Sequence, residues 1–151
     1  EKSEEIVVKE DYHIGIAVDT ERGLLVPVIR NADKKSVFEI AKDIQKLAEK
    51  AKDGTISPDE MTDGTCTISN VGSARGSFFT PIINAPQTSI LGIGRIEKKA
   101  VVINDTVEIK PMMALSLSYD HRLIDGVLAQ EAMNELKVFL EEPGLLLAKG
   151  T

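Results

Sequence analysis

The sequence predicts an α+β fold, with a mixed, mainly antiparallel sheet and helices on one side. Three observations carry that prediction. Short apolar runs of strand period come first, then one long run of helical period, then more strands and a last helix. The strand runs are joined by turn residues at hairpin spacing. Nowhere do strands and helices alternate as βαβ units require, so elements of two kinds are segregated along the chain.

Taken in order, Ile6–Val8 and His13–Val18 read as short strands, the second with Gly15 where a close backbone approach would suit it. Thr20-Glu21-Arg22-Gly23 is turn chemistry, and Leu24–Ile29 answers it as the return strand of a hairpin, with Pro27 marking an edge or a bulge. Ser36 to Glu39 fits a capping box, and Val37, Ile40, Ala41, Ile44, Leu47, Ala48 and Ala51 form one helix face that Gly54 closes. Ser57-Pro58-Asp59-Glu60 reads as the start of a second helix, necessarily short, with Pro58 at its first position. Thr65–Val71 is strand-like, with Thr65, Thr67 and Ser69 on one side, and Gly72–Gly76 is a loop. Phe78–Pro86 is apolar but broken by prolines, hence extended. Ser89–Ile96, Ala100–Ile103, Val107–Ile109 and Met112–Tyr119 read as strands, with a hairpin connection at Asn104-Asp105-Thr106. A final helix carries Leu128, Ala132, Leu136 and Phe139 or Leu140, and Pro143-Gly144 ends it.

Composition narrows the function classes. With 151 residues the chain has the length of one domain, and 42% hydrophobic against 28% charged residues is globular. A net charge of −6 argues against a non-specific polyanion binder, so nucleic acid is not an expected partner. No apolar run reaches membrane-spanning length, so no membrane association is expected. The single Cys66 can form no internal disulfide and fits a reducing compartment; mid-strand, it reads as buried and inert. One Cys and two distant His make no ligand cluster, so no metal is expected. The chain begins at Glu1 without Met and reads as a processed product or part of something longer.

The chemistry-bearing stretch is Leu115–Gly126. An alternating strand delivers His121 at its end, with Asp120 and Arg122 beside it and Asp125-Gly126 at the entry to the last helix. A lone histidine is most often structural, but a neutral imidazole at a strand end can take a proton from a thiol or hydroxyl near neutral pH. Asp125 suits an N-cap, and it can equally pair with Arg122 or hold the histidine turn in shape. Ser69 is either an ordinary strand hydroxyl or a donor to an oxyanion forming on an attacked carbonyl. No Gly-x-Ser-x-Gly elbow is present, which disfavours a covalent serine hydrolase. Gly92-Ile93-Gly94 lacks the third glycine of a dinucleotide fingerprint and suits a ligand or a second backbone passing close. Met112-Met113 reads as core filling.

Ser118-Tyr-Asp-His121-Arg-Leu-Ile-Asp125-Gly126 resembles the His-x-x-x-Asp-Gly signature of the dihydrolipoamide acyltransferases, the core components of 2-oxo acid dehydrogenase complexes. Ile14–Thr20 with Gly23–Val28, Thr67–Gly72, and Phe79–Asn84 with Ile90–Ile96 agree in the same order. The resemblance implies a chloramphenicol acetyltransferase-like fold, with residues 1–151 as the C-terminal portion of the catalytic domain, N-terminally truncated and without lipoyl or subunit-binding domains. It implies His121 as general base on a thiol, Ser69 as oxyanion donor and Asp125 supporting the histidine turn through an arginine. Coenzyme A contacts would fall to Asp19, Ser69, Asn70 and Gly94, and the acyl donor would be a lipoyl group attached to a domain outside this chain.

The acyl group implied is acetyl, from a pyruvate dehydrogenase complex, with a branched-chain 2-oxo acid enzyme or a non-catalytic scaffold as alternatives. The implied assembly is a homotrimer, with Ser69 of one chain facing His121 of the next. Such trimers would build a cubic or dodecahedral core that binds the dehydrogenase and dihydrolipoamide dehydrogenase components. The implied location is the bacterial cytoplasm, or the mitochondrial matrix of a eukaryote. A chloramphenicol acetyltransferase-like enzyme acting on a small alcohol is a further alternative, disfavoured because Asp120 stands where that family has a second histidine. Arg75 reads as a solvated loop arginine, with a phosphate contact as the other use.

Overall fold

The computed structural model describes residues 6–74 and 76–149, and Arg75 lies outside them. The chain divides into two compact units, 1–66 and 67–151.

In the first unit, β1 (Ile14–Ile16) and β2 (Val18–Thr20) run antiparallel to β4 (Val28–Ile29) and β3 (Gly23–Leu25). The two pairings share one register: Gly15 opposes Val28 and Val18 opposes Leu25. The expected hairpin is therefore present but interrupted. Pro27 has no N–H to give, so the ladder breaks there, while its carbonyl still accepts from the Ile16 amide at 2.8 Å. The Thr20 hydroxyl ties the turn by donating to the Gly23 carbonyl at 2.7 Å. Ile6–Val8, expected as a strand, forms none and is exposed.

Helix α1 (Val37–Asp53) starts on the capping box read from the sequence. Glu39 N donates to Ser36 Oγ at 3.3 Å, and Ser36 N donates to Glu39 Oε2 at 2.8 Å. Gly54 ends it in a left-handed conformation at φ 71°. Ile40, Leu47, Ala48 and Ala51 turn inward, whereas Val37, Ala41 and Ile44 of the expected face are exposed. Ser57 and Pro58 open a 3-10 turn, Pro58–Met61, rather than an α-helix. The second histidine, His13, is buried; its Nδ1 accepts from Asn31 N at 3.1 Å, and its carbonyl accepts from the Thr65 hydroxyl at 2.9 Å.

In the second unit β5 (Cys66–Asn70) runs parallel to β6 (Ser89–Ile103), which runs antiparallel to β7 (Thr106–Tyr119). The four separate strands expected after residue 88 are these two long ones. Lys98, Lys99 and Lys110 look like breaks in the sequence, but the outer half of the hairpin stands in solvent, where charged side chains fit a ribbon. Asn104 and Asp105 both have positive φ (48° and 62°), as a two-residue turn matched to strand twist requires. One face of this arm is polar, with Glu97 paired to Arg95 and Lys99 and Glu108 paired to Lys110. The other carries Ile96, Ala100, Val102, Ile109 and Val107, all exposed. Met112 lies on the polar face and is exposed, so it fills no core. Cys66 is half-buried rather than buried.

Helix α2 (Gly126–Glu141) packs on β7 through Ala129 and Met133, which line a cavity of about 370 Å³ with Leu115, Leu117 and Tyr119. Leu128 and Ala132, expected to face inward, are exposed. Ala129 is the buried residue of α2 instead. Gly144 does not close the helix but begins a short one, α3 (Gly144–Lys149). Among the described residues no helix is long and apolar enough to cross a membrane.

Candidate active site

β7 ends at Tyr119, and the chain turns through Asp120–Ile124 before α2. Asp120 pins the turn. Its amide donates to Thr88 O at 2.8 Å, and its carbonyl accepts from the Leu123 and Ile124 amides at 3.0 Å each. Its carboxylate accepts from Arg122 N at 3.0 Å, from Nε at 2.9 Å and from Nη2 at 2.5 Å. This grip from Arg122 holds the Asp120 carboxyl down at about 2, below the usual carboxylate range, and raises the arginine in turn. His121 stands between the two, exposed, its ring 5.5 Å from the Tyr119 ring and tilted by 42°.

Asp125 caps α2, its Oδ1 accepting from Leu128 N at 2.9 Å. The capping role is thus the one present. Arg122, one of the alternative partners read for Asp125, is engaged with Asp120 instead.

Ser69 lies on β5 opposite Gly92 of β6, and Gly92 lies opposite Ser116 of β7. The three form one row on one face of the sheet. A Cβ at Gly92 would sit 2.6 Å from Ser116 Oγ and 2.9 Å from Phe79 Cζ. The Ser116 hydroxyl donates to Phe79 O at 2.6 Å. At Gly94 a Cβ would run into the Ser77 carbonyl. The strand glycines thus admit a second stretch of this chain's own backbone, residues 76–79 crossing the sheet. Asn70 is exposed at the end of β5, and its Oδ1 accepts from Gly72 N at 2.8 Å. Ser69, Asn70 and Gly94 are brought near one another on β5 and β6, while Asp19 is exposed on β2 of the other unit.

The register separates Ser69 from the histidine. Tyr119 pairs with Ser89, three residues along β6 from the partner of Ser69. That places the Cα atoms of Ser69 and Tyr119 about 14 Å apart, from the rise along a strand and the spacing across two. Within one chain no hydrogen bond joins Ser69 and His121. The clamp of Asp120 on Arg122 was missed in the sequence. Its only signal was the Asp-His-Arg order itself, in which a carboxylate and a guanidinium flank the histidine.

The chain matches the family of 2-oxoacid dehydrogenases acyltransferase (catalytic domain) over residues 1–148. It is 54% identical over 147 residues to the dihydrolipoyllysine-residue acetyltransferase component of pyruvate dehydrogenase complex of Bacillus subtilis, covering 97% of this chain and 33% of that protein. The chain therefore spans about a third of the length of the curated relatives it matches. Among solved structures it is similar to the dihydrolipoamide acetyltransferase of Azotobacter vinelandii, studied for the role of a serine, a histidine and an asparagine in its mechanism. The TM-score is 0.91 at 42% identity, covering 95% of this chain and 59% of that one. It is also similar to the cubic core of the pyruvate dehydrogenase multienzyme complex, with a TM-score of 0.89 at 42% identity, covering 92% of this chain and 57% of that one. With its mixed sheet, its histidine turn and a match over nearly its whole length, the chain belongs to the 2-oxoacid dehydrogenase acyltransferase family, in that family's catalytic domain.

Proposed function

We propose that this chain carries the acyl-transfer residues of an acetyltransferase that passes an acetyl group between dihydrolipoamide and coenzyme A in a pyruvate dehydrogenase complex. The observation that carries the reading is His121, exposed on a turn anchored on both sides and therefore available to a thiol from solvent. A second observation agrees. The serine, histidine and asparagine studied in the Azotobacter vinelandii enzyme stand at the same separations along its chain as Ser69, His121 and Asp125 do here.

In the proposed step His121 takes the proton of the coenzyme A thiol, and the thiolate sulfur attacks the carbonyl carbon of the acetyl-lipoamide thioester. The carbonyl oxygen becomes an oxyanion to which the Ser69 hydroxyl donates. Collapse re-forms the carbonyl and breaks the old C–S bond. The departing lipoamide thiolate takes the proton back from the imidazolium, so both thiols exchange roles without an acyl-enzyme. Asp125 contributes by capping α2 directly after the histidine turn.

The distance between Ser69 and the end of β7 supports a site completed between two chains, with Ser69 supplied by a neighbour in a trimer. The exposed apolar face of the β6–β7 arm, with Val102 71% and Ile109 72% exposed, is the kind of surface that association covers. Trimers of this sort would build a cubic or dodecahedral core serving the dehydrogenase and dihydrolipoamide dehydrogenase components. Coenzyme A would touch Ser69, Asn70 and Gly94, and the assignment of a further contact to Asp19 rests on the sequence.

His121→Ala in the full-length protein tests this reading. Acetyl transfer from acetyl-CoA to dihydrolipoamide should disappear while the particle mass stays the same. Unchanged turnover would overturn the general-base assignment, and a monomeric mass for the parent protein would overturn the shared site.

A further inference from the structure

We propose that Asp120 is a positioning residue for acyl transfer: its carboxylate, gripped by Arg122 across the histidine between them, fixes His121 in place and shields it from the arginine's charge. The inference rests on the reading of His121 as general base.

The geometry carries it. Asp120 and Arg122 are the sequence neighbours of His121, and the guanidinium meets the carboxylate side-on, with Nε at 2.9 Å from Oδ1 and Nη2 at 2.5 Å from Oδ2. The same Oδ1 accepts from Arg122 N at 3.0 Å. The backbone of Asp120 is spoken for as well, by Thr88 before it and by Leu123 and Ile124 after it. His121 therefore cannot swing as a unit with its turn unless several of these bonds break together. On its other side the tilted Tyr119 ring limits the imidazole.

The charges matter as much as the bonds. Arg122 follows His121 directly in the chain and carries a full positive charge, and an unopposed cation beside a base makes a bound proton harder to hold. Asp120 opposes it within hydrogen-bond distance and stays ionised throughout the range in which histidine titrates. Of the other titratable groups on these elements, Tyr119 ends β7 and Asp125 precedes α2; the charged residues further along are Glu108 and Lys110 on the outer half of β7 and Glu131, Glu135, Lys137 and Glu141 on α2. Thr88, Gly126 and Gln130 carry no charge. Solvent screens the pair, since Arg122 is largely exposed, so the electrostatic part is modest and the geometric part the larger.

The test uses the full-length protein and compares Asp120→Asn, Asp120→Glu, Arg122→Met and the Asp120→Asn/Arg122→Met double variant, with His121→Ala as reference. Turnover, KM and the pH profile are measured on assembled particles of native mass. Asp120→Asn should lower kcat about tenfold with KM nearly unchanged, as for a displaced base. It should also move the acid limb of kcat/KM to lower pH, because Arg122 is then unopposed. Asp120→Glu should lose turnover but keep the acid limb. The double variant should return the limb to its native position without restoring kcat, a pattern that a purely structural role would not produce. An Asp120→Asn protein with native turnover and native pH profile, beside an inactive His121→Ala, would overturn the proposal. Native activity in His121→Ala would instead overturn the functional reading beneath it.

Discussion

The Asp125 carboxylate accepts a hydrogen bond from the Leu128 amide at 2.9 Å and so closes the first turn of the helix that follows the histidine. Asparagine offers the same acceptor and is a cap of equal rank. Asp125→Asn should leave the thermal midpoint nearly unchanged, whereas Asp125→Ala should cost about 1 kcal/mol. Chemical denaturation of the three proteins separates the outcomes. Equal losses in both variants would mean that the charge, not the cap, holds α2.

Gly94 faces the Ser77 carbonyl so closely that any Cβ must push residues 76–79 off the sheet. Gly94→Ala should therefore destabilise by about 1–3 kcal/mol, the usual range for overpacking. Gly23→Ala serves as a contrast, since nothing lies near its Cβ and only its φ of 105° is strained. A smaller loss at Gly94 than at Gly23 in matched melts would contradict the crossing seen here.

Glu60 accepts from Lys50 Nζ at 2.5 Å and from Ser57 N at 3.0 Å, and these bonds lower its carboxyl from 4.5 to about 2. A carboxylate lowered by folding stabilises the native state above its unfolded pKa and loses that contribution as pH falls through the folded one. The contribution should thus be complete above about pH 4.5 and gone near pH 2. Urea midpoints followed from pH 6 to 3 should fall more steeply for the native chain than for Glu60→Gln. Parallel curves would remove Glu60 from the account of acid stability.

Ser69→Ala should cost roughly 10²–10³ in turnover if the hydroxyl donates to the oxyanion, with particle mass and KM little affected. A loss under about tenfold would return Ser69 to the role of an ordinary strand hydroxyl. Thr67 provides the internal contrast: its hydroxyl is buried on the same strand and donates to Gln87 Oε1 at 2.5 Å, so its loss should appear in stability instead.

Local chemistry made much of the fold legible. The Ser36–Glu39 box, Gly54 and Asp125 were readable because caps depend on a few adjacent residues. The length of β6 and β7 was not, because an exposed ribbon admits lysines that resemble strand ends. The inward faces of both helices were only half legible. Apolar residues such as Phe38, 89% exposed, sit on surfaces this chain does not cover, so periodicity mixed core with uncovered face. In the site, His121 stood out by residue type. Its clamp did not, since which carboxylate Arg122 takes is decided by the shape of the turn, which brings Asp120 rather than Asp125 to the guanidinium.

The register that keeps Ser69 away from the end of β7 has a genetic consequence. If each site borrows its serine from a neighbour, a chain lacking Ser69 and a chain lacking His121 are each defective alone yet can complement one another. Co-expressed, they would form some interfaces in which the intact serine of one faces the intact histidine of the other. The unit of inheritance for activity would then be the pair of chains, not the polypeptide.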